Sequence, residues 1–106
     1  MSMTQTEILD AIRGKLSTEE LLCQLSEECV ELSKAALKLR RVLTKVNPTP
    51  VTPSEAYANM WEEIFDVTFV LEVLAFDLDA PIMQKFRATK PERWVRRLEG
   101  NDAEVH

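Results

Sequence analysis

Residues 62–76 read EEIFDVTFVLEVLAF, and the fold turns on how that stretch is built. Ile64, Phe65, Val67, Phe69, Val70, Leu71, Val73, Leu74 and Phe76 fall on nearly every side of a 3.6-residue period, with no strand-like alternation. A helix that is apolar nearly all round is a buried helix. In a chain of 106 residues, that burial calls for a partner subunit. Asp66 breaks the pattern. A lone ionised carboxylate among such neighbours is costly, so it must be protonated, paired or bound to a metal.

Working outward, Thr52 and Glu55 form a T-x-x-E capping box with Pro53 at the first helical position. This predicts a helix from Pro53 to about Leu78. Upstream, residues 47–53 (NPTPVTP) hold three prolines and form an extended linker. Before the linker, Ser17 with Glu20 makes a second capping box, and Glu19 and Glu20 suit the positive end of the helix dipole. Leu21, Leu25, Leu32, Ala36, Leu39 and Leu43 follow as a narrow stripe, fading near Val46. A first helix spans about Thr4 to Arg13, with Gly14 as its stop. Downstream, a helical stretch opens at Asp79, is interrupted by Pro91, restarts at Thr89–Glu92 and closes at Gly100. The reading is one all-α, four-helix-bundle-like domain over residues 1–106. Its core covers about 17–99, residues 101–106 are a frayed tail, and homo-oligomerisation as a dimer or tetramer completes it.

The bulk numbers set limits. The chain is 45% hydrophobic and 29% charged, the balance of a folded globular protein. A net charge of −5 opposes nucleic-acid binding through a broad basic face and leaves a bound polyphosphate in need of a metal. The N-terminal stretch lacks the apolar run of a signal peptide, and no apolar run suffices for a membrane span. Cys23 and Cys29, roughly 9 Å apart along one helix, cannot pair within the chain and read as reduced core thiols of a cytoplasmic protein.

Two carboxylate clusters carry the chemistry: Glu27-Glu28-Cys29-Val30-Glu31 and Glu62-Glu63-Ile64-Phe65-Asp66. Each holds an i, i+3 pair, Glu28 with Glu31 and Glu63 with Asp66, and residues three apart are neighbours on a helix surface. On facing antiparallel helices the two pairs can surround one point. A divalent cation relieves both their repulsion and the burial of Asp66. Oxygen-only ligation suits Mg²⁺, with Mn²⁺ as a substitute. Gln24, Ala35 and Lys38 share the flank of the first pair, and Asn59 that of the second.

E-E-x-x-E followed after a linker by E-x-x-D resembles the MazG-like members of the all-α NTP pyrophosphatase superfamily. The flanking Gln24-Leu25-Ser26, Leu32 and Asp66-Val67 are similar too, and the likeness spans about Leu21 to Leu78. It implies Mg²⁺-dependent hydrolysis of a nucleoside triphosphate between its α- and β-phosphates, giving the monophosphate and pyrophosphate. It also implies that Glu28, Glu31, Glu63 and Asp66 bind the metal. Glu27 matches the first glutamate of the motif and is expected to support the site or orient water. Lys38, with Lys34 as a weaker candidate, is expected to grip phosphates. Lys90, Arg93 and Arg97 resemble the basic helix that family members place near the substrate. Gln24 and Asn59 complete the expected substrate contacts. Trp61 and Trp94 are either base-stacking residues or core or interface residues.

Two other readings compete. A ferritin-like di-iron site needs histidines in the bundle, and the only one is His106. A non-catalytic helical dimer, acting as a regulatory or scaffolding module, accounts for the apolar helix. It leaves Asp66 and the coexistence of two carboxylate pairs unexplained.

Overall fold

A computed structural model describes residues 2–45 and 50–100, and every regular element among them is helical. The order is α1 (Gln5–Lys15), α2 (Thr18–Thr44), α3 (Pro53–Val73) and α4 (Pro81–Leu98). They form two compact units, one running to Phe76 and one beginning at Asp77. Residues 47–49 of the expected linker, and the whole of the expected tail at 101–106, lie outside the described residues.

The helix starts follow local chemistry. Ser17 Oγ accepts from the Glu20 amide at 3.1 Å, and Glu20 Oε1 accepts from the Ser17 amide at 3.0 Å. Thr52 Oγ1 accepts from the Glu55 amide at 3.1 Å, with Pro53 opening α3. The full reciprocal pair seen at Ser17 recurs at Thr4 and Glu7, which start α1, whereas the expected box at Thr52 is met only by the Glu55 amide bond.

The helix ends correct the sequence reading. Gly14 does not stop α1; the helix passes through it to Lys15. α3 ends at Val73, five residues short of Leu78, because Ala75 adopts a left-handed conformation (φ 67°). There the Phe76 amide donates to the Leu71 carbonyl and the Ala75 amide to that of Glu72, both at 2.9 Å, the paired bonds of a Schellman stop. Arg13 of α1 reinforces the stop, donating from Nε to the Val73 carbonyl at 2.9 Å and from Nη2 to that of Glu72 at 3.0 Å. Gln5 donates through its amide to the Glu72 carboxylate.

α4 begins at Pro81, after Ala80, and not at Asp79. Pro91 does not interrupt it. Proline deprives the Arg87 carbonyl of its usual amide partner but leaves the flanking turns intact. Thr89 makes no cap; its hydroxyl donates to the Lys85 carbonyl at 3.1 Å, a bond that belongs to a continuing helix.

The core of the first unit is the α2–α3 seam. Its buried residues are Leu21 and Ala35 on α2 with Ala56, Val70 and Val73 on α3. Ala35 and not Ala36 is the buried alanine of α2, so the seam is rotated from the leucine stripe toward the flank of Gln24 and Glu28. Seven-residue spacing explains the rotation. Leu21, Glu28 and Ala35 are one heptad apart, as are Ala56, Glu63 and Val70, and again Asn59, Asp66 and Val73. A 3.5-residue seam keeps such positions facing the partner helix.

The remaining side of α3 is open within a single chain, contrary to the expectation of a helix enclosed all round. Tyr57, Trp61 and Phe65 are 49%, 70% and 61% exposed. Phe65 stacks on Phe69 with centroids 5.5 Å apart. Cys23 and Cys29 are also exposed and are not core thiols. No helix among the described residues is long and apolar enough to cross a membrane.

Candidate metal centre

Glu28, Glu63 and Asp66 occupy seam positions that a plain bundle would fill with apolar side chains, and the seam brings them together. One carboxylate oxygen from each lies within 4.8 Å of the others, and all three residues are half-buried. Gln24, one turn before Glu28, donates from Nε2 to Glu28 Oε1 at 2.8 Å and holds that carboxylate in place. Glu63 Oε2 is shut off from solvent and has no hydrogen-bond partner.

That orphaned oxygen sets the electrostatics. Burial pushes the Glu63 carboxyl above the usual carboxylate range, and the charges of Asp66, Glu28, Glu31 and Glu62 push it further the same way. A buried acceptor without a donor is costly. A proton or a cation removes the cost. Three hard oxygen donors at this separation, with no nitrogen or sulfur among them, fit Mg²⁺ or Mn²⁺.

Glu31, expected as a fourth ligand, is exposed and stands outside this triad. Its Oε1 lies 3.4 Å from Lys34 Nζ. Glu27 is exposed and faces a separate groove with Glu19, Glu20 and Cys23. Of the expected substrate contacts, Lys38 and Asn59 line a groove of about 370 Å³ that also reaches Glu31 and Glu63. Glu28 meets Glu63 and Asp66, whereas Lys38, further along α2, shares its groove with Asn59, earlier on α3; the two helices therefore run antiparallel. Lys90, Arg93 and Arg97 belong to α4 in the second unit, where Lys90 Nζ sits 5.5 Å from the Phe86 ring centroid. Trp61 and Trp94 are largely exposed.

Arg41, not among the residues expected from the sequence, lines the same groove as Lys38. The heptad register that puts Glu28 and Glu63 in the seam is likewise absent from the sequence-based expectations. The signal for both was present: Arg41 follows Lys34 by seven residues and Lys38 by three, and small or apolar residues stand one heptad either side of each glutamate.

No protein-family model matches the chain, and no solved structure does. One curated relative from Bacillus subtilis, the uncharacterized protein YpjD, is 34% identical over 94 residues, covering 82% of this chain and 79% of that protein. With that identity over most of both lengths, the chain belongs to the YpjD family.

Proposed function

We propose that the chain is a Mg²⁺-dependent nucleoside triphosphate pyrophosphohydrolase with a MazG-type fold, working in the cytoplasm as a homodimer or homotetramer. One observation carries the reading: carboxylate oxygens of Glu28, Glu63 and Asp66 lie within 4.8 Å of one another, and Glu63 Oε2 is left dry and unpartnered. A plain helical module gains nothing from that arrangement, since three clustered carboxylates in a seam only weaken it.

Glu28, Glu63 and Asp66 would hold the ion, with Glu31 joining them by leaving Lys34. A bound Mg²⁺ supplies charge neutralisation at the phosphates and acidifies a water. The chain's own residues do the rest. Gln24 fixes the orientation of Glu28. A carboxylate of the cluster takes the proton of the attacking water. Lys38 and Asn59 in the adjoining groove meet the substrate, and Glu27 supports the first motif from the outer side of α2.

The proposed assembly answers the open side of α3. Tyr57, Trp61 and Phe65 form a row at four-residue spacing, and an exposed aromatic row of this kind is an interaction surface. The same row favours a second reading, a helical dimer without catalysis.

A pyrophosphate-release assay over canonical and modified (deoxy)nucleoside triphosphates, with Mg²⁺ and with Glu63→Gln as control, decides between them. The enzyme reading expects release by the wild type and none above background by the variant. Equal turnover by both, or no release from any triphosphate, overturns it. Thermal melts add an independent check, because a cation bound only by the native state raises its stability.

A further inference from the structure

The groove between α2 and α3 does not end at the carboxylates. Beyond Glu31, Lys34, Lys38 and Arg41 follow at four- and three-residue steps, which puts them on one face of α2 over roughly 10 Å of axis. Among the described residues, neither Lys38 nor Arg41 has a carboxylate oxygen within 4.0 Å, although both are half-buried. Only Lys34, the most exposed of the three, has an acidic partner. Ala35, 3% exposed, forms the floor and leaves the space above it open. Half-buried cations in an open groove, with no carboxylate oxygen within 4.0 Å among the described residues, are arranged for an anion that comes from outside.

We propose that this basic half of the groove seats the terminal phosphates of the substrate, and that Arg41 is the specificity residue that recognises the third phosphate. The inference rests on the reading of the carboxylate triad as the metal centre. With the α-phosphate at the triad, the β-phosphate falls beside Lys34 and Lys38 and the γ-phosphate reaches Arg41. Water adds its oxygen to the α-phosphorus. The bridging oxygen departs with the bonding electron pair as part of pyrophosphate, and the proton of the water goes to a triad carboxylate and then to solvent. New negative charge thus appears on the β-side, where Lys34 and Lys38 stand. A diphosphate substrate leaves Arg41 without a partner and binds more weakly. Arg41 also lies in the last turn of α2, where any cation complements the helix dipole. Arg41→Lys keeps that charge and loses only the two-pronged guanidinium contact, so it separates recognition from helix stability.

The test is calorimetric titration of the full chain, in Mg²⁺, with inorganic tripolyphosphate and with pyrophosphate. Wild type is expected to bind tripolyphosphate more tightly than pyrophosphate. Arg41→Gln is expected to bind the two alike, with tripolyphosphate weakened roughly tenfold or more, and Arg41→Lys to fall between. In turnover, Arg41→Gln raises KM for the triphosphate with kcat largely kept. Unchanged tripolyphosphate binding by both Arg41 variants, each melting as wild type does, overturns the proposal. Arg41-dependent tripolyphosphate binding by a chain that hydrolyses no nucleotide sustains the phosphate seat and sinks the enzyme reading. Hydrolysis with KM indifferent to Arg41 does the reverse.

Discussion

The two ends of the α2–α3 groove are built from opposite charges. At one end Glu28, Glu63 and Asp66 converge; at the other, among the described residues, Lys38 and Arg41 have no carboxylate oxygen within 4.0 Å. Between them, Glu31 and Lys34 form an exposed ion pair. A helix pair selected for stability alone interleaves its signs, since alternating charges attract and like charges three or four residues apart repel. Segregation gives up that gain. It suits a ligand that is itself divided, a cation at one end and an anion at the other.

The comparison can be broken first at Glu63. Glu63→Gln is expected to lower pyrophosphate release by about 100-fold or more. The same change should raise the melting temperature in the absence of metal. The raised pKa means that the folded state holds the Glu63 proton more tightly than the unfolded state does. Stability therefore falls as pH rises through the unfolded and then the folded value, and above both the ionised group is a burden that glutamine lifts. A variant that is less stable without metal, in a scanning calorimeter, would contradict this account.

The floor between the two ends comes next. Ala35→Leu should cost about 1–3 kcal/mol in denaturant unfolding, because a larger side chain must push α2 from α3. It should weaken metal and polyphosphate binding together, since both ends depend on one helix spacing. Loss of only one would mean that the ends are independent.

Two further changes calibrate the comparison. Ala75→Gly, at the stop of α3, should add about 1 kcal/mol by relieving a left-handed alanine, with no effect on activity. Lys34→Ala should change stability by less than about 1 kcal/mol, since both partners of its ion pair are well exposed.

The smallest effect lies at the α2 start. Backbone and hydroxyl bonds from Ser17 hold the Glu20 carboxyl below the usual carboxylate range. Its contribution is present above the unfolded pKa and is lost as pH falls through the folded one. Glu20→Gln should therefore lower stability slightly in the neutral region, leave the most acid region unchanged, and so flatten the acid limb of a stability-versus-pH curve.

What could be read from the sequence follows the range of the interactions involved. The starts of α2 and α3 were legible because Ser17–Glu20 and Thr52–Glu55 each act within one turn. The four-helix outline followed from such signals. The pairing of Glu28 with Glu63 and Asp66 was suggested by i, i+3 spacing and is met in the seam. The misreadings came where a distant contact or an unusual backbone state outranks residue preference. Gly14 suggests a stop and yet sits inside α1. Ala75 takes the conformation that glycine usually supplies. Pro91 is tolerated within α4. Glu31 lies on the expected flank, but which way its carboxylate turns depends on Lys34, and Arg41 gains meaning only once Asn59 is known to stand across from it.

The bonds from Arg13 to the Val73 and Glu72 carbonyls carry a consequence for the order of events in folding. Val73 lies 60 positions along the chain from Arg13. Closing so long a loop is slow compared with winding a helix. The local stop at Ala75 sets the boundary of α3, and the bonds from Arg13 that reinforce it form only when α1 docks. The firmness of one helix end is in this sense written in another helix, and an N-terminal truncation that removes Arg13 would fray the last turn of α3 far from the cut.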